Sequence, residues 1–369
     1  MNPQQSLSGR ILGPQGWVRG HLEFLADGRI AALHEDASAP EDRLILPGFV
    51  DLHVHGGLGV DIMEGGESAR TVARAHARHG TTSLLATTMT APQGDIERAL
   101  QGIGAVMAEP RADEARILGV HLEGPYLSSR RLGAQPDIVS RATLEAVQAF
   151  SALAAIKVLT LAPEIPGHLA LIPELSALGI RVQIGHSAGS YEDGVAALKA
   201  GVAGFTHLFN GMPGLNHYEP GMVGAALAHA EYAELIPDLQ HVHPGAMRAA
   251  LRAIPKLYCV TDATAATGMP DGEYSLGSQR VLKCLGCVRL ATGSLAGSAL
   301  TMDQALRNLV EVGLSVEDAS ARLSRNPADY LGLAERGRLQ VGAWADVVVL
   351  DTDLQLQQVW VQGQRVSLD

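Results

Sequence analysis

Polar and apolar positions change their rhythm twice along this chain. Between residues 45 and 260, apolar runs end in polar or small residues and give way to Ala-rich helical patterns. The runs cover 45–54, 82–88, 117–122, 156–161, 180–184, 204–208, 233–239 and 257–260. Their spacing leaves room for a crossover helix between successive parallel strands. Eight such units over residues 47–333 predict an α/β fold, a (β/α)8 TIM barrel, which typically takes about 250 residues plus insertions. A doubly wound open sheet is the competing arrangement, but no Gly-x-Gly-x-x-Gly follows the first run to support it.

The two chain ends follow another rhythm. Before residue 47, Gly9, Gly13-Pro14, Gly16, Gly20 and Asp27-Gly28 read as closely spaced turns. Short strands fit between them at Trp17-Val18, 21–25 and 29–33. After residue 333, the segments 337–339, 346–350 and 358–366 again suggest strands. Residues 1–46 and 334–369 are therefore expected to pair into one small β-sandwich, with residues 47–333 as the barrel.

Composition narrows the class. Hydrophobic residues make up 47% and charged residues 18%, too apolar a balance for a disordered chain. Lys and Arg number 28 against 39 Asp and Glu, a net charge of −11, which argues against nucleic-acid binding through a general positive field. Three cysteines cannot staple 369 residues, so a reducing compartment is expected. No apolar run of membrane-spanning length and no basic, apolar leader occur, so the expectation is a soluble cytoplasmic protein without a membrane partner.

In a TIM barrel the chemistry sits where the strands end. Run one ends in Asp51-Leu52-His53-Val54-His55, run three in His121-Leu122-Glu123, run five in Gly185-His186-Ser187, run six in Thr206-His207-Leu208, and run eight in Thr261-Asp262. His53 and His55 lie two apart, which places both imidazoles on one face of a strand. Imidazole and carboxylate donors suit a borderline divalent ion such as zinc. A single strand-end histidine is more often a hydrogen-bonded packing residue, and His121 is assigned that role. Independent packing does not explain the recurrence of such groups at five strand ends of eight. His76 and His79 fall on a helical pattern and read as surface or helix-packing residues. Cys284-x-x-Cys287 has no second pair to complete a zinc site, so its cysteines read as small apolar packing residues.

These residues lie within longer motifs: PGFVDLHVHG (47–56), HLEGPYL (121–127), TLAPE (160–164), GHS (185–187), THLFNGMP (206–213), EPG (219–221), VTDAT (260–264) and GSLAGSALTMDQALRNLVE (293–311). NPADYLGL (326–333) and GRLQVGAWADVVVLD (337–351) complete the set. Together they resemble the N-acetylglucosamine-6-phosphate deacetylases of the amidohydrolase superfamily, over nearly the whole chain. The resemblance implies a barrel with a β-sandwich and hydrolysis of the N-acetyl amide of an amino sugar. It implies that Glu123, His186 and His207 are metal ligands and that Asp262 is the catalytic acid/base. Members lacking the first-strand histidines bind one metal. This sequence keeps His53 and His55, so it resembles those able to hold two, bridged by Glu123. Zinc is the expected ion, with Fe2+, Co2+ and Mn2+ suited to the same donors, and a homodimer is the expected assembly.

Two substrate positions depart from the family pattern. The family reads Gly-Ala/Thr-His where this chain has Gly133-Ala134-Gln135, and Gln135 can donate a hydrogen bond but carry no charge. The family also places a phosphate-gripping Arg just before Glu-Pro-Gly, where this chain has Tyr218. His241 matches the family's phosphate-contacting His. The resemblance thus makes Ala134, Gln135, Asn210, Gly211, Tyr218, His241 and Leu295 the expected substrate contacts. Alternatives are the same chemistry on the galacto epimer or an unphosphorylated sugar, or a non-catalytic metal-binding barrel. A Schiff-base aldolase would want a lysine at a strand end, and none of Lys157, Lys199, Lys256 and Lys283 falls there.

Overall fold

The computed structural model describes residues 5–368. Six parallel strands follow one another in chain order: Phe49–Val54, Thr81–Thr88, Arg116–Glu123, Ile156–Leu161, Arg181–Ile184 and Gly204–Phe205. Strands seven and eight, Glu234–Leu235 and Tyr258–Cys259, pair parallel with each other. The Leu208 N–H donates to the Glu234 carbonyl at 2.8 Å, joining six to seven. The Val54–Ala263 bridge joins eight back to one, so the ring closes. All eight expected runs carry a barrel strand, and the open-sheet alternative falls. Crossover helices alternate with the strands, as in Ser68–Ala77, Gln93–Ala108 and Tyr191–Ala200.

The strands are buried because both faces are covered. Every residue of Thr81–Thr88 is buried, inward against the barrel interior or outward against helices. Several polar side chains of the strands meet each other there. Thr160 Oγ1 lies 2.7 Å from both His121 Nε2 and Thr206 Oγ1. His121 therefore has the packing role expected of it, with its Nδ1 donating to the Leu52 carbonyl at 3.0 Å.

The first run proves to be two strands. Leu44–Pro47 pairs antiparallel with Val347–Leu350 and parallel with Gln5–Gly13, which places it in the sheet of the chain ends. The break falls at Gly48, where a Cβ would lie 2.3 Å from the Thr82 side chain. Only a glycine lets the chain pass this close to the second barrel strand.

The strands of the two ends run as one seven-stranded sheet, ordered 364–366, 356–361, 347–350, 44–47, 5–13, 16–24 and 30–35. One face buries a core of its own that includes Leu7, Ile11, Leu22, Phe24, Ile45 and Val347. Gly9 and Gly20 do not mark turns, contrary to expectation. They face each other within the long hairpin of Gln5–Gly13 and Gly16–Phe24. A Cβ on Gly20 would sit 1.8 Å from the His34 carbonyl oxygen, so this glycine answers a close approach rather than a bend.

A three-stranded antiparallel sheet, Gly272–Leu276, Gln279–Cys284 and Cys287–Leu290, is inserted after the eighth barrel strand. Cys284 and Cys287 pair across its hairpin turn. One is exposed and the other half-buried, so the apolar-packing expectation for them is not met.

Candidate active site

The site residues sit at strand ends, where the backbone leaves the sheet abruptly. His186, His207 and Asp262 all adopt positive φ, at 46°, 30° and 51°. That conformation is disfavoured for a side chain with a Cβ and costs about 1–3 kcal/mol at each position. The neighbouring chain imposes it. The Asp262 N–H donates to the His53 carbonyl at 2.9 Å, and the Ser298 N–H to the Asp262 carbonyl at 2.7 Å. The turn this forces aims the carboxylate over the barrel mouth.

Glu123 is the hub. Its Oε1 lies 3.1 Å from His186 Nε2 and 3.0 Å from His207 Nε2. Its Oε2 lies 3.2 Å from His55 Nε2 and 3.5 Å from His53 Nε2. Asp262 Oδ1 approaches the second pair, at 3.3 Å from His55 and 3.5 Å from His53. One carboxylate therefore divides two histidine pairs, and a second carboxylate caps one of them. All six expected residues converge within the barrel mouth.

The donor set has the character of a cation site. His53 Nε2 and His55 Nε2 are 3.1 Å apart, as are His186 Nε2 and His207 Nε2. His53 and His186 commit their Nδ1 protons elsewhere, to Glu234 and to the Arg131 carbonyl. In the neutral state the Nε2 lone pairs of His53 and His186 then point at carboxylate oxygens and the neighbouring rings. A divalent cation among each group relieves that repulsion, and each group combines two histidines with Glu123. The electrostatics agree. Burial alone would lower the His55 imidazole, yet hydrogen bonds to Asp262 and Glu123 lift it to about 9. Burial alone would raise the Glu123 carboxyl, but His53, His186 and His207 hold it well below the ordinary range. A buried carboxylate kept ionised by protonated imidazoles beside it suits a metal cation equally, and loading would release the imidazole protons.

A cavity of about 130 Å³ opens above this cluster. Ala134, Gln135, Asn210, Gly211, His241 and Leu295 line it, as expected of substrate contacts. Gln135 is engaged, however. Its Nε2 donates to Glu123 Oε2 at 2.8 Å, and its Oε1 accepts the Thr90 N–H at 2.8 Å. It braces the central carboxylate before it can reach a ligand. His241 gives its Nδ1 to Asp238 Oδ2 at 2.7 Å, leaving Nε2 for a ligand. Burial opposes its protonation, but the Asp238 contact raises its pKa. Tyr218 departs from expectation. It is 84% exposed, stacks on His217 at 4.0 Å, and lies outside the lining of this chain's cavity. The reason is local: the segment 214–219 is an exposed loop with little to bury against.

Two acidic residues of the site were not anticipated. Glu234 bonds His53, and Asp51 accepts from the Thr261 hydroxyl at 2.6 Å and the Thr261 N–H at 3.2 Å. Burial pushes the Asp51 carboxyl up to about 7, against these hydrogen bonds. A carboxylate inside an otherwise apolar run is the signal that could have found both.

The amidohydrolase family pattern matches residues 44–366. An N-acetylgalactosamine-6-phosphate deacetylase of Escherichia coli O157:H7 is 41% identical, over 97% of this chain and 98% of that protein. An N-acetylglucosamine-6-phosphate deacetylase of Vibrio furnissii is 40% identical, over 97% and 93%. Among solved structures, a mutant N-acetyl-D-glucosamine-6-phosphate deacetylase of Mycobacterium smegmatis, in complex with N-acetyl-D-glucosamine-6-phosphate, superposes with a TM-score of 0.92. It is 32% identical and covers 99% of this chain and all of that one.

Proposed function

The chain belongs to the amidohydrolase family, and from that premise we propose that it hydrolyses the N-acetyl amide of N-acetylglucosamine 6-phosphate to glucosamine 6-phosphate and acetate. The observation that carries this reading is Glu123 standing between two histidine pairs, with Asp262 beside one of them at the floor of a cavity. His53, His55, Glu123, His186 and His207 would hold the divalent cations. Bound there, such ions polarise water and the amide carbonyl and lower the pKa of the water toward neutrality.

The chain's own groups supply the rest. Asp262 Oδ1 accepts the proton of the attacking water and returns it to the amide nitrogen, which leaves poorly as an anion. Gln135 holds Glu123 in place through the 2.8 Å hydrogen bond. His241, its Nδ1 held by Asp238, offers its Nε2 to the phosphate. Zinc as the ion, a homodimer as the assembly and the cytoplasm as the compartment complete the reading. The exposed Tyr218 loop fits a role at an interface between copies better than one in this chain's own cavity.

The E. coli relative favours a second reading, the galacto epimer, at a similar identity over a similar span. The deciding measurement is kcat/KM for N-acetylglucosamine 6-phosphate, its galacto epimer and the unphosphorylated sugar. The gluco phosphate is expected to exceed the unphosphorylated sugar by at least about a hundredfold, equivalent to roughly 2.7 kcal/mol. A phosphate effect of less than a few-fold would defeat the phosphosugar assignment, and a larger value for the galacto phosphate would move it to that epimer.

A further inference from the structure

Of the four imidazoles that converge on Glu123, two have their outer nitrogen held. His186 gives Nδ1 to a neutral acceptor, the Arg131 carbonyl, at 2.8 Å. His53 gives Nδ1 to Glu234 Oε2, at 3.0 Å, and both side chains are fully buried. The buried Nδ1 atoms of His55 and His207 meet no partner. Among the described residues, His53 is thus the imidazole of the four whose outer nitrogen meets a carboxylate.

Glu234 is itself tightly held. It enters from the seventh barrel strand, and its Oε2 also accepts the His207 backbone N–H at 3.3 Å. Its Oε1 accepts the Tyr258 hydroxyl at 3.1 Å, and Gln183 Nε2 donates to that hydroxyl at 2.7 Å. His121 Nδ1 lies 3.8 Å from it, and the charges of His207 and Tyr330 also act with it. A carboxylate fixed from three sides dictates which tautomer His53 adopts and where its ring points.

We propose that Glu234 is the positioning residue for His53, and that its charge lets the His53–His55–Glu123 half hold a divalent cation of its own beside the Glu123–His186–His207 half. This rests on the reading that these donors bind cations. Two divalent ions bring four positive charges, and Glu123 with Asp262 supply two negative ones. Glu234 is the third carboxylate against the cluster, and it makes His53 a more basic ligand. Losing such a partner typically weakens metal binding about 10–100-fold.

The test reads ion stoichiometry rather than turnover. Wild type, Glu234→Gln, Tyr258→Phe and His53→Gln are loaded with Zn2+, dialysed, and analysed for ions per chain. Each is then titrated against a chelator. Wild type is expected to hold two ions. Glu234→Gln should keep one and bind the second about 10–100-fold more weakly. Tyr258→Phe should keep both, because it frees only the carboxylate oxygen turned away from His53. Two ions held normally by Glu234→Gln would overturn the proposal, as would equal loss in Glu234→Gln and Tyr258→Phe, the pattern of a merely structural role. Should Glu234→Gln not fold, Glu234→Asp, too short to reach His53, carries the same expectation. A single ion in wild type, or no loss in His53→Gln, would instead refute the parent reading of the His53–His55 half and this inference with it.

Discussion

Replacing Asp262 with asparagine isolates the proton-transfer role from the binding role. The two side chains have the same shape, and Asp262 is only 7% exposed, so the variant should pack as the wild type does. Asparagine cannot take up a proton at neutral pH. The native carboxyl can, because although burial would raise it, the nearby His53 and His55 hold it ionised. General acid–base catalysis by one positioned group is worth about 10²–10⁴ in rate, or roughly 3–5 kcal/mol of barrier. The effect on metal should be one-sided. Asp262 Oδ1 lies 3.3–3.5 Å from His55 and His53, while Glu123 Oε1 faces His186 and His207 independently of it. Asp262→Asn is thus expected to lose at least a hundredfold in kcat while keeping the ion on the His186–His207 half. The assay pairs kcat, measured by release of the free amine at saturating substrate, with metal analysis of the same preparation. A kcat within tenfold of wild type would refute the acid/base role. Loss of every ion would show that the residue binds rather than transfers protons.

Two further outcomes follow from the fold. Gly20→Ala forces a Cβ to within 1.8 Å of the His34 carbonyl oxygen and should destabilise the protein by about 3 kcal/mol in urea unfolding. Gly13→Ala, at the end of the partner strand in the same hairpin with its nearest contact at 3.6 Å, should stay within about 1 kcal/mol, and similar losses in both would discredit the close-approach argument. His76 is buried, its Nε2 donates to the Gly56 carbonyl at 2.9 Å, and burial lowers its pKa from 6.5 to about 4. The unfolded chain then binds this proton first, so stability is lost as pH falls below about 6.5 toward 4, by about 2 kcal/mol at pH 5. The difference in unfolding free energy between wild type and His76→Gln should shrink by that amount from pH 7.5 to pH 5, and a constant difference would count against it.

Much of the site was legible because strand ends are local features. The sequences around His53, Glu123, His186, His207 and Asp262 each place a metal-binding or proton-accepting side chain just where an apolar run stops, and a barrel gathers those stops at one rim. Glu234 was not legible in this way. It lies within an apolar run, and its function depends on His53, which is 181 positions away in the chain. Gln135 shows the same limit. Its amide chemistry suggests a substrate donor, and only the folded chain reveals that it is occupied by Glu123 and Thr90. Tyr218 was expected among the substrate contacts by resemblance, yet its loop projects into solvent.

Hydrophobic rhythm and residue chemistry by themselves pointed to the eight-unit barrel and to the set of donors at its rim, and left the pairing of the two chain ends as an inference. These depend on short-range periodicity, which the chain carries wherever it folds. Tertiary structure decided the rest: that run one divides at Gly48 between two sheets, that Glu123 turns one oxygen to each histidine pair, and that Glu234 holds the outer nitrogen of His53. Those are matters of distance and direction between residues far apart in sequence. They are settled only when barrel closure brings the seventh strand beside the sixth and the eighth beside the first.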